Sequence, residues 1–186
     1  MARYRDASCR LCRRERMKLM LKGDRCVTAK CAITKRREVP GPVNRKMKQL
    51  SEYGVQMREK QKVKRIYGIL EKQFRNYYQE ATRISGVSGE NLLRLLELRL
   101  DNVVYRLGLA KSRSQARQFV YHGFISVNGK RMTIPSYCVK VGDKISITDR
   151  GNAIGQVKEI VEDLKNEYAS IRAEYKEQNS GDTLIA

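Results

Sequence analysis

Four of the five cysteines stand close together near the N-terminus, at Cys9, Cys12, Cys26 and Cys31. The spacing is Cys-x2-Cys, then 13 residues, then Cys-x4-Cys. Two thiol pairs separated in this way can close a tetrahedron around one zinc ion, with sulfur–zinc distances of about 2.3 Å. An iron–sulfur cluster uses the same four ligands, and four ordinary reduced cysteines are the remaining alternative. We predict one zinc ion here.

A zinc ion in this position would be structural, because all four coordination positions are filled and none is left for water. The single histidine, His122, is far away in the sequence. Arginines at positions 10, 13, 14 and 16 would offset the negative charge of four thiolates. The segment is too small and too charged to fold by apolar burial alone, so metal binding would hold it together.

The overall charge points to a polyanionic partner. The 186 residues carry a formal net charge of +19 and a pI near 10.0. Residues 1–65 hold 21 Lys and Arg against 6 Asp and Glu, whereas residues 156–186 hold 4 against 7. Such an excess repels itself unless an anion neutralises it, so nucleic acid is the leading partner and an anionic membrane surface the second.

The chain also lacks signals for the membrane and for secretion. No apolar run approaches the 18 to 20 residues of a span, and the first residues lack the apolar core of a signal peptide. We therefore expect a cytoplasmic protein with reduced thiols and no membrane partner. The sequence has one histidine and no glycine-rich phosphate loop, so it offers few residues for acid–base catalysis or nucleotide binding. We therefore expect neither an enzyme nor a small-molecule substrate.

The elements that position these groups follow from periodicity. Residues 38–44, EVPGPVN, end the cysteine segment. Ser51 is a plausible N-cap for a strongly basic helix, and ILEKQFRNYYQEATRI carries apolar residues at helical spacing. The cations predicted to face phosphates in this region are Arg58, Lys62, Lys64, Arg65, Lys72 and Arg75.

Residues 91–155 change from helical to alternating periodicity. Two short helices are predicted on either side of Asp101-Asn102, and Ser112 with Gln115 forms a capping box that starts a third. Asn128-Gly129 predicts a type I′ hairpin turn, and Cys138 is expected to be a small buried residue of a following strand. The polyanion-binding residues predicted here are Arg106, Lys111, Ser112, Arg113, Gln115 and Arg117.

The tail is predicted to be a helix that packs back on the other helices. Its apolar stripe consists of Val157, Ile160, Val161, Leu164, Tyr168 and Ile171. The last residues, NSGDTLIA, are expected to be unstructured.

Within this framework, SRSQARQFVYHGFISVNGKRM resembles the α-L RNA-binding module shared by ribosomal protein four of the small subunit, some pseudouridine synthases and bacterial-type tyrosyl-tRNA synthetases. MARYRDASCRLCRR, the four-cysteine pattern and LLELRLDNVVYRLGLAKSRSQAR resemble the bacterial ribosomal protein family itself. The resemblance covers about residues 1–155. After that point an acidic helix stands where the family usually continues with a Pro- and Trp-containing stretch and an apolar strand.

The resemblance implies an α+β protein in three parts. Residues 1–44 form a four-cysteine zinc knuckle with a basic extension, residues 45–90 plus 156–186 form a mostly helical RNA-binding domain, and residues 91–155 form an inserted α-L module of helices followed by antiparallel strands. It also implies a structural protein of the ribosomal small subunit that binds ribosomal RNA at a junction of helices early in assembly. It also implies contacts with neighbouring ribosomal proteins and with messenger RNA near its entry path into the small subunit. An influence on decoding accuracy is implied as well.

Two other functions fit parts of the sequence. LRLD at residues 98–101 is faintly similar to a pseudouridine synthase motif in which Asp is the nucleophile, although no separate catalytic domain remains. A zinc-containing DNA regulator could use residues 112–123 as a recognition helix. Both are weaker than the ribosomal interpretation.

Overall fold

The computed structural model describes residues 4, 6–36, 38–41 and 50–180, with side chains up to residue 170. The predicted boundary at 44/45 lies outside the described residues. Of the end predicted to be unstructured, residues 179–186, Asn179 and Ser180 are helical and residues 181–186 lie outside the described part. No helix in the described ranges is long and apolar enough to cross a membrane. The helices are α1 (Cys9–Glu15), α2 (Ala32–Lys35), α3 (Glu52–Tyr67), α4 (Glu71–Arg83), α5 (Ser88–Glu97), α6 (Leu100–Arg106), α7 (Arg113–Tyr121), α8 (Asp149–Asn152) and α9 (Gly155–Ser180), and the strands are β1 (Ile125–Val127), β2 (Lys130–Met132) and β3 (Ile145–Ile147).

Helices α3 to α5 form the helical unit. The Ser51 hydroxyl accepts a hydrogen bond from the backbone N–H of Gly54 at 3.2 Å, which confirms the predicted N-cap. α3 ends where Gly68 takes a left-handed conformation (φ 61°), and the chain turns into α4. α4 and α5 pack on each other, and their small core consists of Tyr67, Ile69, Phe74 and Leu96.

The α-L module comprises α6, α7, the sheet and α8. Its three strands are antiparallel in the order β2-β1-β3, with Ile125 opposite both Met132 and Ile147. Asn128 and Gly129 both have positive φ (52° and 77°), so the predicted type I′ turn is confirmed. The buried core joins helices and sheet through Leu100, Val104, Ala116, Val120, Ile125 and Val127.

The start of α9 packs on the core of the α-L module. Val157 and Ile160 are buried in that core, and Leu164 packs against it. The contact is therefore with the α-L module, and not with the helical unit (45–90) to which residues 156–186 were assigned. Tyr168 at the far end of the predicted stripe is 63% exposed, and the side chain of Ile171 lies outside the described residues.

Two local predictions were wrong. The break between the two short helices falls at residues 98–99, and Asp101 and Asn102 are buried within α6. Cys138 is exposed and forms only an isolated bridge with Arg99, because the regular strand β3 starts at Ile145, beyond the Gly142 turn. The start of the module also differs, since α5 up to residue 97 belongs to the core of the helical unit.

Candidate nucleic-acid interface and cysteine site

The four N-terminal cysteines line one small cavity. Cys9 and Cys12 come from α1, Cys26 ends a 3-10 helix (Gly23–Cys26), and Cys31 immediately precedes α2. The cavity has a volume of about 10 Å³, which is room for one water-sized atom and no more. The fold therefore brings together the four side chains that the spacing singled out.

Backbone N–H groups point at three of these sulfurs. The N–H of Lys22 donates to Cys26 Sγ at 3.3 Å. N–H groups at the start of α2 donate to Cys31 and lower the pKa of its thiol. Burial raises the pKa of the Cys12 thiol, and a hydrogen bond from the Leu19 N–H opposes this effect. Donors of this kind favour thiolate, the form in which cysteine binds metal.

The sulfurs themselves are not arranged as a finished metal site. Within the described ranges, no three Cys, His, Asp or Glu side chains are placed so that they could hold a metal ion as they stand. The four residues meet around one cavity, but their sulfurs do not surround a single point at which an ion would be bound. The residue types and their convergence fit a metal, and the zinc site remains a prediction.

The cysteine knuckle contacts both other parts of the chain. The Glu15 carboxylate, only 1% exposed, is paired with Arg58 (3.4 Å) and Arg65 of α3. On the other side, Asp24 pairs with Lys111 at 3.3 Å. Gly23 lies so close that a Cβ there would stand 2.5 Å from the Lys111 carbonyl oxygen. The knuckle thus rests between α3 and the loop that leads into α7.

All four predicted RNA-binding cations of α3 have intramolecular partners. Arg58 and Arg65 are held by Glu15, as described above. Lys62 pairs with Glu59 at 2.6 Å, and Lys64 pairs with Glu71 at 2.8 Å. The structure therefore gives these side chains a role in packing the protein, and their contact with RNA stays a prediction.

The cations of α4 are arranged differently. Lys72 and Arg75 are exposed and form no ion pair with any described residue. Gln79 and Arg83 continue the same three- to four-residue spacing, so all four side chains share one helix face. Sequence analysis missed Gln79 and Arg83, although the spacing was visible. We call this set the α4 stripe: Lys72, Arg75, Gln79 and Arg83.

The α4 stripe points directly away from the core. At 3.6 residues per turn, it lies opposite the face on which Phe74 and Ala81 are buried. The four positions of the stripe carry no carboxylate. Glu71 at the start of the helix pairs with Lys60 (2.5 Å) and Lys64 (2.8 Å), and the exposed Glu80 lies about a quarter-turn to one side. Its ends, Lys72 and Arg83, are eleven positions apart in the sequence, a length of about 16 Å at 1.5 Å per residue.

At the start of α7, two of the predicted residues form hydrogen bonds with the protein backbone. The Ser112 hydroxyl accepts from the N–H of Gln115 at 3.3 Å, which confirms the predicted cap. The Gln115 side chain accepts from the N–H of Lys111 at 2.9 Å. Ser112 is buried, whereas the Lys111 side chain stays 49% exposed and could reach a phosphate.

Arg113 and Arg117 are directed into the protein. Arg113 donates to the Asn102 side chain at 2.8 Å and lies over the rings of Tyr67 and Tyr105, with centroid distances of 5.1 and 4.5 Å. Arg117, whose side chain is 13% exposed, pairs with Asp101. Replacing both by alanine would therefore disturb internal packing. Arg106 differs, since it pairs with Glu97 at 2.9 Å but keeps 60% of its side chain exposed.

Asp101 is not placed as a nucleophile. Its carboxylate is 4% exposed and bound by the guanidiniums of Arg99 and Arg117. A carboxylate held between two cations and closed to solvent cannot attack a base. The pseudouridine synthase interpretation of residues 98–101 therefore has no support in this geometry. Arg99 is itself buried, at 3% exposed.

An exposed aromatic pair stands at the C-terminal end of α7. Tyr121 is 71% exposed and contacts the exposed His122 edge-on, with ring centroids 6.0 Å apart. His122 also stacks on Phe124, with ring centroids 5.6 Å apart and ring planes inclined by 26°. His122 is the C-cap of the helix, and its carbonyl oxygen accepts a hydrogen bond from Arg131 at 3.3 Å.

The fold and the surface define a basic α+β protein that carries the helices and hairpin of an α-L module. A family model described as the ribosomal protein S4/S9 N-terminal domain matches residues 3–97, and an S4 domain model matches residues 98–145. The boundary between the two models coincides with the boundary between the two cores. The chain belongs to the ribosomal protein S4/S9 family, so the resemblance seen in the sequence is confirmed.

Similar proteins match almost the whole chain. The small ribosomal subunit protein uS4 of Desulforamulus reducens is 54% identical over 186 residues, which are all of this chain and 89% of the relative. The uS4A protein of Clostridium acetobutylicum is 57% identical over 175 residues, covering 94% of this chain and 85% of the relative. For uS4 of Pelotomaculum thermopropionicum the identity is 59% over 162 residues, or 87% and 78% of the two chains.

Proposed function

We propose that this chain is a structural protein of the small ribosomal subunit and binds ribosomal RNA in the cytoplasmic ribosome. Membership in the family supports this, as do relatives that carry the name of a small-subunit protein. The family is structural rather than enzymatic, which agrees with the buried, doubly paired Asp101.

The single observation that carries the RNA interface is the α4 stripe. Three cations and one amide lie along about 16 Å of an exposed helix face without a carboxylate among them. Lys and Arg that contact phosphates release condensed counterions, which supplies affinity and a steep dependence on salt. A helix face of this kind fits the backbone of folded RNA, which proteins recognise mostly by shape through phosphates and 2′-hydroxyls.

A second contact of a different kind would use the aromatic pair. Tyr121 presents an open ring to solvent, next to His122. Unpaired bases stack on aromatic side chains in RNA-binding proteins. Removal of either ring would lower affinity without changing the salt dependence, because no phosphate contact is lost.

The test of the RNA interface is a salt titration with a matched control. The variant Lys72→Gln with Arg75→Gln removes two charges from the α4 stripe, and Lys158→Gln with Lys165→Gln removes two exposed charges from α9. Binding to small-subunit ribosomal RNA is measured by filter retention over a range of potassium chloride. We expect the stripe variant to lower the slope of log K against log salt by about 1.4 to 1.8, at 0.7–0.9 per phosphate.

The α9 variant should keep the wild-type slope. Equal slopes for wild type and stripe variant would refute the assignment of α4, and preference for duplex DNA over ribosomal RNA would favour the DNA regulator. Co-sedimentation with small subunits in a sucrose gradient tests the wider claim.

The finer role is part of the same proposal. The protein would bind a junction of ribosomal RNA helices early and nucleate assembly, contact neighbouring ribosomal proteins and the messenger RNA near the point where it enters, and influence decoding accuracy. Two units with separate cores, joined by buried polar contacts, support recognition of a junction, since each unit can face a different RNA helix. The order of assembly would be tested by reconstituting small subunits without the protein and adding it late. If late addition restores complete subunits in full yield, early binding is contradicted.

We propose further that Cys9, Cys12, Cys26 and Cys31 hold one structural zinc ion. The support is their shared cavity and the N–H groups directed at the sulfurs. When bound, zinc would supply cross-linking of α1, the 3-10 helix and the start of α2. An iron–sulfur cluster is the alternative, and its visible absorption would distinguish it.

The metal prediction has a natural control within the chain. Cys26→Ser should lose the metal, whereas Cys138→Ser, which changes the exposed fifth cysteine, should retain one zinc per chain by elemental analysis. Chelation should unfold residues 6–36 and leave the helical unit folded, as followed by hydrogen exchange. Freshly purified, reduced wild type without metal would end the proposal.

A further inference from the structure

We infer that Asp101 is a positioning residue for RNA binding. Its buried carboxylate fixes the α-L module against the helical unit, and thereby sets the angle between the RNA-facing surfaces of the two. The inference rests on the proposed RNA-binding function. According to this inference, Asp101 increases the affinity for RNA although its buried carboxylate cannot contact RNA.

The two units have separate apolar cores. Tyr67, Ile69, Phe74 and Leu96 form one cluster, and the core of the α-L module forms another, with Leu100 as its first member. No buried residue is shared between the two clusters. Apolar packing therefore stabilises each unit by itself. Their relative orientation depends on the polar contacts around residues 97–102, on Arg113 and Arg117 at the end of α3, and on the cysteine knuckle, which contacts both units.

Asp101 binds two arginines at this boundary. Arg99 donates through Nε to Oδ1 at 3.1 Å and through an Nη to Oδ2 at 2.9 Å, which is a bidentate pair. Arg117, from α7, donates through its Nε to Oδ2 at 2.8 Å and adds a second bond through its Nη2 atom. Asp101 and Arg99 are each 3% exposed, so solvent screening at this point is weak.

Each arginine continues to the helical unit. The free Nη of Arg99 donates to the hydroxyl of Tyr77 on α4 at 2.7 Å. Arg117 donates to the carbonyl oxygens of Gly68 at 2.8 Å and Tyr67 at 3.3 Å, at the C-terminus of α3. A cation there also meets the negative end of the helix dipole. One carboxylate of the module thus aims two guanidiniums at two different helices of the other unit.

Buried guanidiniums depend on that carboxylate. Without it, two cations would face each other in a poorly solvated space, and both would turn away toward solvent or new partners. The bonds to Tyr77, Tyr67 and Gly68 would then be lost together. The contacts of Glu97 would remain, as would Arg113 over the Tyr67 ring and the contacts of the cysteine knuckle with both units. The units would therefore stay linked but be less rigidly oriented.

The sign of the effect distinguishes positioning from electrostatics. Asp101→Asn removes a negative charge from a protein that binds a polyanion, so simple attraction predicts equal or tighter RNA binding. A positioning role predicts weaker RNA binding. When the orientation of the two RNA-binding surfaces is no longer fixed, binding both of them to the same RNA becomes less favourable. The matched control is Asp149→Asn, which neutralises an exposed acid in the first turn of α8.

The experiment measures two properties of the full-length chain. Affinity for small-subunit ribosomal RNA is measured by filter retention, and ¹⁵N relaxation reports whether the two units of the free protein tumble as one body. For Asp101→Asn we expect binding weaker by about tenfold or more and separate correlation times for the two units. Asp149→Asn should bind at least as tightly as wild type and tumble as a single body.

Tyr77→Phe provides a milder second variant, should Asp101→Asn not fold. It removes one hydrogen bond to Arg99 and no charge, and we expect binding weaker by about two- to fivefold. Wild-type affinity in both variants, with wild type itself binding, would overturn the inference. Failure of wild type to bind the RNA would instead refute the proposed function, and the relaxation data would still decide whether Asp101 orients the two units.

Discussion

Glu97 gives a stability prediction that depends on pH. Its carboxylate ends α5 and accepts hydrogen bonds from Tyr67 at 2.5 Å, Asn102 at 2.7 Å and Arg106 at 2.9 Å. Burial raises the pKa of this group, but the hydrogen bonds from a guanidinium, a phenol and an amide outweigh it. The net effect lowers the pKa of Glu97 from its usual 4.5 to about 2.

The magnitude and the direction follow from linkage. A pKa depressed on folding contributes stability that is present above the unfolded value, near 4.5, and is lost as pH falls toward about 2. The pKa difference would correspond to about 3.4 kcal/mol for a fully buried group. The Glu97 side chain is 35% exposed, so solvent screening reduces the expected contribution to about 1–2 kcal/mol.

The assay compares urea unfolding of wild type and Glu97→Gln at several pH values between about 7 and 2.5. Near neutral pH the variant should be less stable by about 1–2 kcal/mol, and this difference should shrink toward zero below about pH 3. Acid effects shared by both proteins, including protonation of the cysteines, cancel in the difference. Glu90→Gln, at an exposed position of α5, is the control. A difference that stays constant over the whole range would refute the reasoning.

Two further substitutions test the cores and the cysteine knuckle. Leu96 is fully buried between the helices of the helical unit, so Leu96→Ala should cost about 2–5 kcal/mol in urea unfolding, whereas Leu93→Ala, 47% exposed, should cost less than about 0.5 kcal/mol. Glu15→Gln removes the buried partner of two α3 guanidiniums and should speed hydrogen exchange in α1 well before α4. Glu59→Gln, which breaks an exposed pair, should leave exchange in α1 unchanged.

Local signals in the sequence predicted much of the fold. Ser51 and Ser112 cap helices as expected, and Asn128-Gly129 forms the expected hairpin turn. Each of these caps and turns is determined by one or two neighbouring residues, so it can be predicted from the local sequence alone. The convergence of the cysteines was predicted for a similar reason, since short spacing within each pair restricts where the thiols can lie.

What could not be predicted depends on distant partners. Whether a given arginine faces solvent or the interior is decided by a carboxylate or carbonyl that tertiary packing brings near. Arg99 is buried because Tyr77 and Asp101 meet it, and Arg117 is directed inward by the end of α3. Lys72 and Arg75 stay outside because the neighbouring Glu71 turns back to α3. Counting positive residues gave the right partner class but could not separate these two groups.

The small sheet of the α-L module has a consequence for the unassembled chain. Both of its border strands, β2 and β3, are only three residues long, and β2 displays Lys130 and Arg131 to solvent. Short, charged borders offer few unpaired amides to a second molecule. Before it binds RNA, the newly synthesised protein is thereby protected from aggregation through strand pairing, to which small open sheets are otherwise prone.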